Sequence, residues 1–304
     1  CYRIQAAEGE FVLKEFQSKY SVEDVQIEPK ITEFVRTHDL PAAKFIQAAT
    51  GEYAWAYRNR AFHLQRFVEG AIFPQNGAPD WLLRDMPCLL GQLHRVLFGF
   101  PHPLTAAFGR SWFNQWDVDE SRQQYAILIA AAECLPQGQV REQTLKDLHD
   151  KRNLLLKVAQ VHINPNRLTQ HNSHGDFNIL QLIYKSSKIK AIIDFSSACK
   201  IPVVWELIRS YTSADSQCAE AAIDIPSLKN YVCTYLEHAP LSRYDLEMMP
   251  YLYYFQLARS RYGYREYLIT RSENRESLIQ FGFWRKMCIS KKADFYLFGT
   301  KWTL

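Results

Sequence analysis

The amino-acid sequence predicts an α+β protein in which a small, mainly β region comes first and a larger, mainly helical region follows. Three observations carry that expectation. The first seventy residues alternate in short β-rich runs punctuated by turn residues, and after Gly70 the apolar spacing changes to a helical period. Later a strand–turn–strand, "ILQLIYKSSKIKAIIDF", interrupts the helical pattern.

The opening "CYRIQAAEGEFVLKEF" gives two β-rich runs around Glu8-Gly9-Glu10, a hairpin signal that puts Lys14 on the second strand. Val22, Val25, Ile31, Phe34 and Val35 then follow helical spacing up to a stop at Asp39–Pro41, so one helix is expected to carry Glu28, with Glu23, Asp24 and Glu33 nearby. "EYAWAYRNR" and "AFHLQRFVEG" read as a further pair of strands. Beyond Gly70 the rhythm of Leu82, Leu83, Met86, Leu89, Leu90, Leu93 and Leu97 predicts a helix, and that of Leu145, Leu148, Leu155, Val158 and Val161 another. A loop rich in Phe, Trp, Pro and Gly spans 98–120. "HNSHGDFNILQLIY" sets Asp176 before an apolar run read as a strand, "KSSK" is the turn after it, and Asp194 closes the next run. Helical patterns resume through "VVWELIRSYTSA", "SLKNYVCTYL" and "MPYLYYFQLARSRYGYREYLI". In the last of these, Tyr251, Tyr254, Arg261 and Arg265 read as core ahead of pocket lining, because an aromatic stripe at helical spacing is usually buried. Domain boundaries are expected at 1–68 and 69–304.

Bulk properties exclude several function classes. The 304 residues carry a formal net charge of +4 and no run of five Lys/Arg, which argues against nucleic acid as a partner. No apolar run approaches the ~18–20 residues needed to cross a bilayer, so no membrane association is expected. The seven cysteines are scattered without a C-x-x-C pair, as free thiols of a reducing compartment would be, and the expected location is cytoplasmic. The chain opens in what reads as the middle of a sheet, and a first strand is expected to precede Cys1.

Phosphoryl transfer requires positioning, metal ions and a residue that orients the attacking hydroxyl, with little covalent help from protein. The parts are a strand Lys paired with a helix Glu, an Asp at the acceptor hydroxyl, a polar metal ligand a few residues on, and a metal-binding Asp after the next strand. The chain offers Lys14, Glu28, Asp176, Gln181 and Asp194 in that order. An Asp closing the run "IKAII" is costly unless something pairs with it.

This ordered set resembles the aminoglycoside phosphotransferase/choline kinase family, relatives of the protein kinases. "FVLKEF" resembles the family's strand Lys, "LQRFVEG" its hinge, "LLGQLH" the first helix of its large lobe, "HGDFNILQLIY" its H-G-D-x-x-x-x-N brace and "IIDF" its metal-binding Asp-Phe. The resemblance implies a two-lobed protein-kinase-like fold and an enzyme that uses ATP, or GTP in its place, with Mg2+ to phosphorylate a small-molecule hydroxyl acceptor. Asp176 would be catalytic. Lys14 and Glu28, with the hinge backbone at Arg66 and Val68, would hold the nucleotide. Asp194 and Gln181 would bind metal, and His174 would pack against the Asp194 turn.

Two departures stand out. The family's Asn position is Gln181, with Asn178 three residues too early to replace it, and no glycine-rich phosphate loop is visible. "DFSSACKIPVVWEL", with Glu206 eight positions beyond Ala198, is similar to homoserine kinases of this superfamily and, more loosely, to spore-coat-associated bacterial members. The expected acceptor is thus a small molecule, an amino acid, amino alcohol, sugar or antibiotic, with a hydroxylated metabolite leading because the excess of Lys/Arg after residue 200 argues mildly against a polycationic antibiotic. Two rival readings stand beside it: a catalytically weakened relative that binds nucleotide or a partner as a scaffold, and a helical interaction protein without nucleotide.

Overall fold

The computed structural model describes residues 1–18, 20–101, 104, 118–220, 223–272 and 275–280. It divides into two compact units, Cys1–Trp112 with Thr169–Asp215 and Pro226–Leu241, and Phe113–Leu168 with Ser216–Ile225 and Ser242–Leu304. The first unit opens with strands β1 (Tyr2–Ala6), β2 (Gly9–Glu15), β3 (Phe45–Ile46), β4 (Ala54–Tyr57) and β5 (Arg60–Arg66). They form one antiparallel sheet in the order β1-β2-β5-β3, with β4 also paired to β5. Both expected pairs are present, and the register sets Lys14 of β2 opposite His63 of β5.

Two helices cross between β2 and β3, α1 (Val22–Val25) and α2 (Ile27–Arg36), where spacing predicted one. The cause of the break is Pro29. It has no N–H to give the Val25 carbonyl, and its ring crowds that carbonyl, so the helical bonding is interrupted here. Ser21 and Asp24 close a capping box on α1. On α2 the buried residues Glu28, Ile31, Thr32 and Val35 form an i, i+3, i+4, i+7 stripe, so the same periodicity that buries Ile31 and Val35 also buries Glu28.

The later helices are α3 (Asp80–Phe98), α4 (Val118–Glu133), α5 (Gln139–Val158), α6 (Val203–Ala214), α7 (Ile225–Leu236), α8 (Arg243–Arg259), α9 (Tyr264–Leu268) and α10 (Arg275–Gln280). Strands β6 (Gln170–Ser173), β7 (Leu182–Lys185), β8 (Lys188–Ile192) and β9 (Cys199–Pro202) lie between α5 and α6. They form two antiparallel pairs, β6 with β9 and β7 with β8. The β7–β8 turn is the predicted one, with Ser186 and Ser187 both at positive φ (53° and 55°) as a primed hairpin turn requires. The apolar run after Asp176 is shorter as a strand than expected. The Asn178 side chain accepts from the Leu180 N–H and starts a single 3-10 turn, Ile179–Gln181, so pairing begins only at Leu182. At Gly70 the chain leaving β5 meets β7, and any Cβ there would lie 2.5 Å from the Tyr184 carbonyl oxygen.

In the first unit the predicted α3 stripe is buried through Leu82, Met86, Leu90, Leu93 and Leu97, and α6 adds Val203, Val204, Leu207 and Ile208 to that core. In the second, α5 packs with α4 and α8, and Lys151 Nζ donates to the carbonyls of Leu257 and Ser260 at the end of α8. Of the stripe, Tyr254 is buried as core, whereas Tyr251 and Arg261 are partly exposed and Arg265 is exposed. The 98–120 loop, apart from 98–101, 104 and 118–120, lies outside the described residues, as does Cys288. Among the described residues no helix is long and apolar enough to cross a membrane.

Candidate active site

The sheet and α2 bring three of the expected residues together. Lys14 Nζ donates to Glu28 Oε2 at 3.0 Å and to Asp194 Oδ1 at 2.6 Å. Burial alone would lower the pKa of the Lys14 ammonium, but Glu28 and then Asp194 outweigh it and hold the group above its ordinary value. Burial pulls Glu28 the other way, upward, and is outweighed by Lys14 and by the hydrogen bond from His63, so Glu28 ends below the usual carboxylate range. That bond runs from His63 Nε2 to Glu28 Oε2 at 3.1 Å. Since a carboxylate only accepts, the Nε2 must carry the proton.

Asp194 sits just past β8 in the left-handed region, φ 61° and ψ 60°, a conformation that Asp tolerates better than most residues. Ser196 Oγ also donates to its Oδ1, at 2.5 Å. Burial would raise its pKa, yet Lys14 and the Ser196 bond hold it below the ordinary value. With its side chain 42% exposed, an ionised carboxylate is presented at the surface of the unit. Among the described residues no three His, Cys, Asp or Glu gather to bind a metal by themselves.

Asp176 occupies the loop between β6 and β7, and its position is fixed by neighbours on both sides. His174 donates from Nε2 to the Ile193 carbonyl (3.0 Å) and accepts at Nδ1 from the Asp176 N–H (3.3 Å), while its ring packs 4.5 Å from that of Phe195. His174 therefore ties the Asp176 loop to the Asp194 turn, as the sequence suggested. Gly175 makes the approach possible, because a Cβ on it would fall 1.9 Å from the Ser197 carbonyl oxygen. Gln181 Nε2 donates to Asp176 Oδ2 at 3.2 Å, and Asn178 Nδ2 to the Asp176 carbonyl at 2.7 Å. The other carboxylate oxygen, Oδ1, is ion-paired with Arg209 of α6.

α6 supports this loop along one face. Glu206 Oε1 accepts from the Phe177 N–H at 3.0 Å, Arg209 holds Asp176, and Ser213 Oγ accepts from the Ile179 N–H at 3.1 Å, an i, i+3, i+7 series. Behind it, Glu206 Oε2 accepts from Ser173 Oγ and from His94 Nε2 (2.9 Å), and His94 Nδ1 meets the Tyr235 hydroxyl at 2.7 Å. Glu206 is wholly buried. Burial would raise its pKa, but the His94 bond and charge, with the Phe177 N–H, bring it down to about 2.

At the end of β5 the Arg66 N–H donates to the Lys44 carbonyl (2.7 Å) and the Phe67 N–H to the Glu10 carbonyl (2.9 Å). Val68 follows directly. Among the described residues its N–H is the first after β5 that the sheet does not take.

Lys14, Glu28 and Asp194 thus meet in one cluster, Asp176 and Gln181 in a second, and Arg66 and Val68 lie at the sheet's exit. Sequence reasoning missed His63, His94, Ser173, Arg209 and Ser213. A signal existed for the α6 pair: at helical spacing, Arg209 and Ser213 fall on the face of Glu206. None existed for His63, whose role depends on a cross-strand register.

A model of the phosphotransferase enzyme family (APH) matches residues 1–226. No curated protein sequence matches the chain. Among solved structures, amicoumacin kinase hAmiN with AMP-PNP, Ca2+ and Ami is 13% identical, with 95% of this chain and 85% of that chain covered and a TM-score of 0.63. Spectinomycin phosphotransferase APH(9)-Ia with ADP and spectinomycin is 10% identical over 95% and 84% (TM-score 0.66). A microcompartment-associated aminopropanol kinase is 16% identical over 97% and 89% (TM-score 0.64). At such identities the likeness shows the fold, which is the protein-kinase-like α+β fold of these phosphotransferases.

Proposed function

The chain belongs to the phosphotransferase enzyme family, and from that premise we propose that it transfers the γ-phosphoryl group of Mg-ATP, or of Mg-GTP, to a hydroxyl of a small molecule. The observation that carries this reading is Lys14 Nζ shared between Glu28 and Asp194. An ammonium held by a buried Glu beside a half-exposed Asp is what a polyphosphate with its metal ion demands. On nucleotide binding Lys14 would turn from Asp194 to the α- and β-phosphates while Glu28 keeps hold of it. The backbone at Arg66 and Val68 would bond the base. Residues 1–68 are drawn as the nucleotide-binding lobe and 69–304 as the catalytic and acceptor-binding one.

The donor set fits Mg2+. This ion takes one or two protein ligands and fills its octahedron with phosphate oxygens and water, so Asp194 with the Gln181 amide oxygen suffices. When bound, the ion neutralises charge on the transferring phosphoryl group. Asp176 orients the acceptor hydroxyl and takes its proton as the hydroxyl oxygen bonds to the γ-phosphorus. The bond from that phosphorus to the β-γ bridging oxygen breaks, and ADP leaves with the electron pair. The products are a phosphate monoester, ADP and one proton. Gln181 and Arg209 hold the two oxygens of Asp176, so the carboxylate meets the hydroxyl in a fixed orientation. Antibiotics and aminopropanol appear in the names of similar structures, which supports a small-molecule acceptor here too.

The test is Mg2+-dependent ADP release against a panel of hydroxyl acceptors, with Asp176→Asn as the blank. Release that needs both acceptor and Asp176 is expected. Failure to bind Mg-nucleotide, with no release from any acceptor, would overturn the reading.

A further inference from the structure

The phosphoryl-transfer scheme uses Arg209 to hold Asp176 and leaves the rest of its guanidinium fork without a role. The residue stands on the same face of α6 as Glu206, but whereas Glu206 is wholly buried, Arg209 and Asp176 are each about a third exposed (30% and 31%). The ion pair therefore opens outward beside the proposed point of attack. A guanidinium carries five N–H donors in a rigid planar fork. Among the described residues Asp176 is its one ion-pair partner, met through Nη2. Each oxygen of Asp176 has two lone pairs, so after Gln181 and Arg209 are satisfied the carboxylate still accepts from a hydroxyl.

A hydroxyl lying on Asp176 therefore has the guanidinium edge as its neighbour. Any charge borne by the acceptor a few bonds from that hydroxyl is read by Arg209. A cation there is repelled. A carboxylate or phosphate gains a charge-assisted, two-pronged contact that no uncharged group matches.

We propose that Arg209 selects the acceptor, and that the molecule phosphorylated carries an anionic group, carboxylate or phosphate, within a few bonds of the hydroxyl that Asp176 orients. The inference rests on the phosphotransferase reading above and narrows its substrate class. The anionic group itself is chemically unchanged by the reaction. Arg209 makes it part of the recognised structure.

The experiment uses acceptors in matched pairs that differ by the anionic group: L-homoserine with 3-aminopropan-1-ol, L-threonine with 1-aminopropan-2-ol, and glycerol 3-phosphate with glycerol. For each, kcat/KM is measured by Mg2+-dependent ADP release with the full chain, and Mg-ATP binding is followed separately by calorimetry. The anionic member of at least one pair is expected to be preferred by ~10-fold or more, and whichever pair shows it separates a carboxylate from a phosphate. Arg209→Gln is expected to erase most of that preference through KM, while Arg209→Lys, which keeps the charge without the fork, retains part of it. A residue that only holds Asp176 in place would lower both members of a pair alike, so an unchanged preference in a folded, nucleotide-binding Arg209→Gln variant overturns the proposal. So does turnover of the neutral or cationic members equal to that of the anionic ones, or silence from every anionic member while Mg-ATP is bound. Loss of both nucleotide binding and all turnover overturns the phosphotransferase reading, and this proposal falls with it.

Discussion

Two clusters of charge in the first unit are built from similar residue types and put to opposite uses. Around Lys14 the ammonium bridges two carboxylates, one of which, Asp194, reaches the surface. Around Glu206 a carboxylate, an imidazole, a serine hydroxyl and a backbone N–H satisfy one another in full burial. The first has groups left over for a ligand, whereas the second has none. Charge that must act on a substrate stays partly in water, where exchanging partners is cheap. Charge that must hold a loop is enclosed, where losing one partner strands the others at a cost of several kcal/mol.

The sharpest way to break that contrast is to remove charge first from a substrate-facing carboxylate outside both clusters, Asp176, and then from the buried network. Asp176→Asn is expected to lower turnover by ~10²–10⁴-fold, the scale of a positioned base, while Mg-ATP binding stays near normal. The same change sacrifices only a one-third-exposed ion pair with Arg209, so the urea midpoint should move by no more than ~1 kcal/mol equivalent. Wild-type turnover in this variant would remove Asp176 from the chemistry.

Glu206→Ala is the mirror experiment. It leaves His94, Ser173 and the Phe177 N–H without their carboxylate, and the expected loss of stability is ~3–5 kcal/mol in urea unfolding. A loss below ~1 kcal/mol would mean that the buried network is not what holds the 176–179 loop.

Acid sharpens the comparison further. The folded pKa of Glu206, about 2, lies below the ordinary 4.5, so its contribution is complete above pH 4.5 and is lost as the pH falls from there toward 2. The gap corresponds to about 3 kcal/mol. Subtracting the unfolding free energy of Glu206→Gln from that of the wild type at several pH values isolates this share from the other carboxylates. The difference should shrink steadily between pH 4.5 and 3, and a flat difference would contradict the assignment.

What was legible in the sequence divides along the same line. The places of Lys14, Asp176 and Asp194 in the fold could be read because each sits at a chemically marked point, on a short strand or beside a turn, in a fixed order along the chain. Glu28 was readable as a helix acid, but its burial follows from the stripe with Ile31, Thr32 and Val35 that begins only where Pro29 resets the helix. His94 and Glu206 are 112 residues apart and meet through packing of α3 on α6, which no local spacing encodes. The same holds for the 3-10 turn at Ile179–Gln181: apolar content suggested a strand, and a cap from Asn178 overrode it.

The smallest expected effect lies at His63, where the two uses of charge come closest. Its ring is fully buried, with the rings of Phe45 and Phe16 at 4.8 and 5.0 Å, and among the described residues its Nδ1 has no partner while Nε2 holds Glu28. His63→Leu deletes a hydrogen bond to a charged group but also removes a buried unpaired nitrogen, two terms of opposite sign and of order 1–3 kcal/mol each. Net stability should therefore shift by less than ~1.5 kcal/mol. Glu28 keeps Lys14 as its remaining partner, so nucleotide KM is expected to rise only ~2–10-fold with kcat nearly unchanged. Lys14→Met is the control, because it removes the group proposed to touch the phosphates. If His63→Leu abolished Mg-ATP binding as fully as Lys14→Met, the Lys14–Glu28 pair would depend on every one of its partners as the Glu206 network does, and the contrast between the two clusters would fail.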